Sequence, residues 1–525
     1  MEAAHTVKSL WRKFAAACAC AALAAACALG LSACSGGAST AGSAESTEEL
    51  TVAWNSNTGD YSLDPTNNYM GWQGSYLGIY EALYRIDGDF QVNPWLASDA
   101  QQVSDTTWVF TIREGVTFQN GKAVDGAAVK ASLENAIAKS KRAASTSAIT
   151  SIEADGQKVT ITTSKPVPLL PGELSEPVFS IIDVNSGTAD TMPVGTGPYM
   201  MDSEDASGNV ELSSYDGYWQ GAPAVKTVHA RYINDATAKQ NALKSGEVQG
   251  ITGIPNDAVS QYANNSAYSV YSTNTARMHM LYFNTQSPIT SDPAVRQALS
   301  MLVDKETLAE TLYAGQAKAA HAAFPDNSAY ASGVTEAYYN RDQAAKILAD
   351  AGWADTDGDG ILDKDGTKLS VHMVTYAANA ELPKMCEALS SEFAKVGIDS
   401  DIEVAEKISN RLGEGDWEIG TMAFSVLPTG NPYTHLAAVM AADGTYNFGK
   451  YSNDAVNSLL DEMSTTSDGN QLASLAEQVQ QQAFNDYAYL YVEETMSNDV
   501  TSSKVQNLYM RGQYDWLNYQ VTVNE

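Results

Sequence analysis

Few side chains in this 525-residue sequence are spaced for bond-making or bond-breaking chemistry. His229, His279, His321, His372 and His435 are scattered, with no HExxH helix and no cysteine partner of the kind that fixes a zinc ion and its water. No GxSxG turn lifts a serine nucleophile, and no cysteine has the histidine partner that would activate its thiol. A secreted hydrolase is therefore the disfavoured reading. Gly195-Thr196-Gly197-Pro198 lacks both the GxGxxG spacing and the following lysine of a phosphate loop. It suits a tight backbone crossing, since glycine tolerates unusual dihedrals and proline fixes one. Asp355-Thr356-Asp357-Gly358-Asp359-Gly360 has the look of a calcium loop, but its twelfth position is Gly366, where an EF-hand needs a bidentate glutamate. A polar hairpin turn is expected there, with a calcium site as the minority alternative. Among the histidines, His435 is the metal-ligand candidate, two residues beyond Tyr433.

The first residues carry a different kind of chemistry. Lys8, Arg12 and Lys13 precede an uncharged, alanine-rich run from Phe14 to Leu31, and Leu31-Ser32-Ala33-Cys34 follows. This resembles the lipobox of bacterial lipoproteins, in which small residues suit a peptidase cleft and the cysteine thiol becomes the lipid attachment point. Residues 1–33 are thus expected to be a signal peptide, Cys34 to be lipidated (palmitate being one such acyl chain), and residues 34–48, rich in Ser, Gly, Ala and Thr, to be a flexible tether. The alternative is an uncleaved anchor helix. With Cys18, Cys20 and Cys27 removed and Cys34 lipidated, only Cys386 remains, so no intrachain disulfide is possible.

Composition narrows the classes further. Hydrophobic residues make up 44% and charged residues 18%, as in an ordinary folded protein. A net charge of −32 argues against nucleic acid, whose phosphates need stripes of Lys and Arg. The length exceeds what one core serves, so two or three lobes are expected.

Apolar spacing supplies the elements. Leu50–Trp54, Trp108–Ile112, Val159–Thr163 and Tyr489–Val492 read as strands, and Gly115–Gly121 as a strand with a turn. Trp72–Leu83, Asp125–Ser140 and Leu472–Phe484 read as helices. Asp292-Pro293 supplies an N-cap and a first-turn proline for Val295, Leu299, Leu302 and Val303. Cys386 falls in a helical stripe with Leu382, Met385, Leu389 and Phe393, where a buried thiol is expected. The alternation implies α/β layers.

Ile79-Tyr80-Glu81-Ala82-Leu83, Phe110 to Phe118, Val194 to Tyr199, Leu281 to Thr285 and Val295 to Leu299, in this order, resemble the family 5 solute-binding proteins of ABC importers. Members of that family bind oligopeptides, dipeptides or nickel. The resemblance implies an α/β fold of the type II periplasmic-binding-protein kind: two lobes, an extra subdomain in lobe one, and a hinge. Its boundaries would be lobe one at 49–280 with the subdomain at about 87–192, lobe two at 281–480, and a return to lobe one at 481–525. It also implies a monomer with no catalytic residues and no resident cofactor. Such a protein is held at the outer face of the cell membrane or in the periplasm and passes its ligand to a permease.

Peptide-binding relatives anchor the free amine on an aspartate in lobe two, because a buried ammonium needs a carboxylate. The matching stretch, Ala423 to Tyr433, has none. It looks more like the nickel- and metallophore-binding members, which implies as ligand Ni²⁺ or another transition metal with an organic chelator. A peptide importer is the alternative, and a signalling lipoprotein a more distant one. In that pattern Arg142, otherwise a solvated charge at a helix end, grips a carboxylate of the chelator through its planar donors. Tyr69, Trp72 and Tyr433 supply aromatic walls, and Asn447 a polar contact.

Overall fold

The computed structural model describes residues 46–55, 62–67, 71–146, 148–512 and 514–524. Tyr69, Cys34, the signal segment and residues 35–45 of the tether lie outside the described residues.

One mixed sheet of eleven strands passes through both lobes. Its lobe-two end runs Asp399–Val404, Ser370–Thr375, Ile419–Ser425, and its lobe-one end Glu49–Trp54, Thr227–Tyr232, Val210–Ser214, Tyr199–Glu204. Parallel pairs occur at both ends, Leu50 opposite Val228 and Val371 opposite Ser400. Two long antiparallel strands, Tyr268–Phe283 and Tyr489–Ser502, join the halves. Their register slips between Asn274 and Arg277, where buried Ala276 takes a φ of 51°. A bulge of this kind bends a strand and raises its local twist. The single strand pair therefore gives the lobes both a continuous backbone and a bend.

The subdomain is a separate four-stranded antiparallel sheet, ordered Ala97–Ser104, Thr107–Ile112, Lys158–Thr163, Ile149–Asp155. Helix Gly126–Lys139 covers it because Val129, Leu133 and Ala136 recur on one face and are buried. Asp125 caps that helix by accepting the Ala128 N–H. Asp292 and Pro293 start helix Pro293–Met301 as their types require, and buried Cys386 sits inside helix Glu381–Ala394.

Four expectations are revised. The helix beginning at Trp72 ends at Tyr76, because Gly78 turns the chain at a φ of 68°, beyond which no α-helix continues. Gly115–Gly121 forms turns with one isolated bridge, Thr117 to Ala123, in place of a strand. The strand expected at Tyr489–Val492 runs on to Ser502, since Glu493, Glu494, Asn498 and Asp499 are buried inside the sheet and do not mark its end. Ser46 and Thr47, inside the expected tether of 34–48, pair with Asn524 and Val523 as a two-residue strand.

Candidate ligand-binding site

The chain turns back after helix Trp72–Tyr76 and runs on through lobe one as Ile79 to Ile86, and residues 511, 514, 515 and 517–520 of the C-terminal return stand across from it. Between them lies a cavity of about 300 Å³, closed at its sides by Trp95, Ser175, Pro177 and Tyr218. Glu81 faces this space with a carboxylate that takes four hydrogen bonds. Trp95 Nε1 and the Tyr218 hydroxyl each donate to Oε1 at 2.7 Å, and Thr196 Oγ1 and Trp219 Nε1 donate to Oε2 at 2.9 and 3.3 Å. All four donors are neutral, and burial pushes the Glu81 carboxyl up to about 7 against their pull. The cations stand one layer further out. The Arg85 guanidinium lies 3.6 Å from the Trp95 ring centre and Arg113 lies 4.7 Å from that of Trp219. Arg85 also reaches Asp515, another lining residue, at 3.4 Å.

Arg142 sits beside this cavity. Helix Gly126–Lys139 ends at Ser140, and the one-turn helix Lys141–Thr146 then carries Arg142 back toward Glu176. Arg142 Nε and Nη2 donate to the two Glu176 oxygens at 2.8 and 2.6 Å, a bidentate pair in which the carboxylate side chain is 5% exposed. Ser175 and Pro177, on either side of Glu176, line the cavity. So does Tyr514, whose phenol is raised by burial and by the charge of Glu176, with Arg142 opposing. Arg142, expected to grip a chelator carboxylate, is paired here with an internal one, which also sets aside the alternative of a solvated charge at a helix end.

The same element touches lobe two. Buried Glu173 accepts from Thr429 Oγ1 at 3.3 Å and from Asn431 Nδ2 at 3.5 Å. Gly172 has no Cβ to spare, since one there would strike the Thr429 carbonyl. Burial, and then the neighbouring Glu176 charge, push the Glu173 carboxyl up to about 7. Nearby, Phe90 at the tip of the hairpin Tyr84–Pro94 is buried and belongs to the hydrophobic cluster that holds the lobe-two side chains Met278, Phe324 and Leu427. The lobes thus meet along one seam that includes the stretch Leu427–Asn431.

The remaining expected residues fall in two groups. Trp72 and Tyr433 are half-buried on opposite lobes. Trp72 stands edge-to-face on Tyr76 at 5.7 Å, and Tyr433 opens helix Pro432–Met440 against the lobe-two core. Asn447 is not available as a ligand contact. Its amide donates to the Ala441 and Tyr451 carbonyls at 2.9 and 2.7 Å, and its oxygen accepts from Tyr451 N and the Tyr489 hydroxyl at 3.0 Å each. Two donors and two acceptor sites are all an amide has, so its capacity is used within the fold. His435 is 5% exposed, with Nε2 2.7 Å from the Tyr491 hydroxyl and the rings of Phe324 and Phe424 against it. Burial lowers its imidazole to about 3. Among the described residues it joins no group of metal-ligating side chains. The one such group is Asp355, Asp357 and Asp363, in the polar loop leading to the hairpin Asp363–Lys368, where the Lys368 ammonium pairs with Asp357 and Asp359.

Glu81, Trp95, Tyr218, Tyr514 and the Glu173–Glu176 pair escaped the sequence reading as site residues. The available signal was a carboxylate inside an apolar run, as in Ile-Tyr-Glu-Ala-Leu, which is costly unless the fold provides donors.

Comparison with known proteins follows this geometry. A family model described as bacterial extracellular solute-binding proteins, family 5, matches residues 91–447. The nickel-binding protein NikA of Staphylococcus aureus is 29% identical over 438 residues, covering 82% of this chain and 86% of the relative. The crystal structure of a nickel ABC transporter protein from Bacillus halodurans superposes with a TM-score of 0.83 at 30% identity, covering 91% of this chain and all of that one. NikA from Staphylococcus aureus in complex with Ni(L-His)2 gives a TM-score of 0.70 at 26% identity, with the same coverage.

Proposed function

Because the chain belongs to the bacterial extracellular solute-binding proteins of family 5, we propose that it captures a transition metal, nickel first, as a complex with a small organic chelator, and delivers it to an ABC importer's permease. The observation that carries this reading is the cavity between Glu81 and Tyr514. At about 300 Å³ it stands at the bottom of the range for small-molecule sites, too small for an extended peptide and large enough for a metal with one or two amino-acid-sized chelators. Its walls are aromatic, which excludes water and strengthens polar contacts inside. The lobe-two stretch Ala423–Tyr433 brings no carboxylate for a peptide's free ammonium. The cavity is lined by lobe one and the C-terminal return, so contact with lobe two needs closure, which a ligand touching both lobes favours through its differential affinity. Arg142 and Trp72 from lobe one and Tyr433 from lobe two, none of which lines the cavity, are the groups we assign to that closure.

From the lipobox-like Leu31-Ser32-Ala33-Cys34 we assign retention at the membrane to a lipid on Cys34. Cys34→Ala protein should then appear in the medium or the soluble periplasm.

Titration calorimetry of the mature protein decides the ligand. Nickel with L-histidine should bind with a dissociation constant in the micromolar range or below, and dipeptides and tripeptides should give no heat at the same concentrations. A ladder of co-purifying peptides in native mass spectrometry would sink the chelate reading and favour a peptide importer.

A further inference from the structure

We propose that His321 and Glu306 form a second binding site, on lobe two, that takes a bare divalent ion of the nickel or zinc class, with Glu336 as its positioning residue. Three short pieces of chain bring these groups to a cavity of about 520 Å³. Asp304 caps helix Lys305–Leu312 by accepting the Thr307 N–H, which puts Lys305 and Glu306 in its first turn. Lys305 is buried, while Glu306 stands exposed on the cavity's edge. His321 follows strand Ala317–Ala319, and Glu336 comes from the loop that leads to helix Arg341–Asp350.

The Glu336 side chain is 10% exposed and both of its oxygens are engaged. Oε2 accepts from the Lys305 ammonium, which also donates to the Ala320 carbonyl at 2.7 Å, and Oε1 lies 3.1 Å from His321 Nδ1. A carboxylate held by an ammonium can only accept, so the imidazole proton sits on Nδ1 and Nε2 keeps its lone pair. That lone pair faces Glu306 Oε1 at 3.6 Å, beyond hydrogen-bond reach. Two electron-pair donors thus confront each other, and a shared cation satisfies both. Metal bonds of about 2.1 Å to each atom would meet at about 120°, an angle that a four-coordinate ion accepts. A carboxylate behind the far nitrogen of a metal-bound histidine fixes its tautomer and raises its basicity. An imidazole beside a carboxylate suits nickel or zinc, unlike the all-oxygen group of Asp355, Asp357 and Asp363. The charge agrees, since the cavity lining sets Asp304, Glu306 and Glu336 against Lys305 alone. The remaining coordination positions open toward the cavity, where water completes the shell.

The test is equilibrium dialysis of the mature protein against nickel chloride without chelator, at about 0.15 M salt to screen loosely held counterions. Wild type should retain one equivalent of nickel more than His321→Ala, whose lost side chain is exposed and outside the core. Glu306→Gln should weaken that equivalent by about tenfold, and so should Glu336→Gln, although it keeps both ligand atoms. Binding of nickel with L-histidine should be the same in wild type and His321→Ala, so this site and the chelate reading can fail separately. Nitrogen NMR of the zinc-loaded protein should find His321 protonated at Nδ1 and metallated at Nε2 in wild type, and a mixture of the two ring forms in Glu336→Gln. Equal nickel uptake by wild type and His321→Ala would overturn the site and leave His321 as an ion-pair partner of two carboxylates. An unchanged ring form in Glu336→Gln would overturn its positioning role. Should Glu336→Gln fail to fold by circular dichroism, the wild-type ring form decides that role, and the exposed variants His321→Ala and Glu306→Gln decide the site.

Discussion

Two polar clusters, one in each lobe, contain residues that the sequence marks as ligand contacts, and they are built on opposite principles. In lobe two, Asn447 closes a ring of four hydrogen bonds with Ala441, Tyr451 and Tyr489, with no charge in excess. In lobe one, Arg142 meets Glu176 with Glu173 close by, so two carboxylates share one guanidinium next to a cavity. A buried group whose donors and acceptors are all matched is a rigid strut. A buried ion pair beside a cavity, with a second carboxyl pushed toward its neutral form next to it, holds groups that a ligand can engage. The comparison separates scaffold from site where residue type alone does not.

The largest effect should come from breaking the strut. Asn447→Leu leaves the Tyr451 N–H and carbonyl without partners, while Ala441 keeps Gly444 N–H and the Tyr489 hydroxyl keeps the Val439 carbonyl, and each unsatisfied buried group costs about 1–3 kcal/mol. Loss of about 3 kcal/mol or more in denaturant unfolding is expected, with chelate affinity of the folded protein unchanged within twofold. A collapse of affinity at unchanged stability would move Asn447 back into the site. Arg142→Ala strands Glu176 and should cost somewhat less, about 2–3 kcal/mol, because Arg142 is 27% exposed and water relieves part of the penalty. Unlike Asn447→Leu, it should also weaken chelate binding, read by titration calorimetry of the folded protein.

These two variants also show what the sequence made legible. Asp125, Asp292 and Pro293 announced their helices because caps are local, and one side chain's hydrogen bond suffices to recognise them. The two-lobed fold was readable from the order of short motifs. Burial of charge was not. Strand Tyr489–Ser502 continues through Glu493 and Glu494 because lobe-two helices and loops cover them, and nothing within the strand records that cover. The pairing of Arg142 with Glu176 depends on a segment 34 residues away folding back to meet it, which no local pattern records. The hydrogen-bond ring around Asn447 was not legible, because an amide at a ligand and an amide locking a loop look identical until their partners are known.

Acidity separates the two regions with opposite signs. Glu173 titrates near 7 when folded and in the ordinary glutamate range when unfolded, so between about 4.5 and about 7 the folded state binds more protons. Its contribution is present below that window and is lost as pH rises through it. His435 runs the other way. Its folded value is about 3 against an ordinary 6.5, so its contribution is present above about 6.5 and is lost as pH falls toward 3. Melting curves should show wild type losing ground to Glu173→Gln as pH climbs from 4.5 to 7, and losing ground to His435→Gln as pH drops from 6.5 to 4. A shared sign would mean that the two clusters do not differ in the way proposed.

The smallest effect tests whether lobe two contributes more than a wall. Tyr433 enters helix Pro432–Met440 with its backbone N–H held by Asn431 Oδ1 at 3.0 Å, so the ring is positioned by the cap and not by its own hydroxyl. If the ring serves as an apolar face, Tyr433→Phe should leave chelate affinity within twofold, since area and position are kept. Tyr433→Ala should weaken it by about tenfold, the scale expected from losing one aromatic contact of about 1.4 kcal/mol. A tenfold loss in Tyr433→Phe would show instead that the hydroxyl reaches the ligand. The polar recognition now placed wholly in lobe one would then be shared across the seam, and the contrast between the lobes would narrow to the Asn447 strut alone.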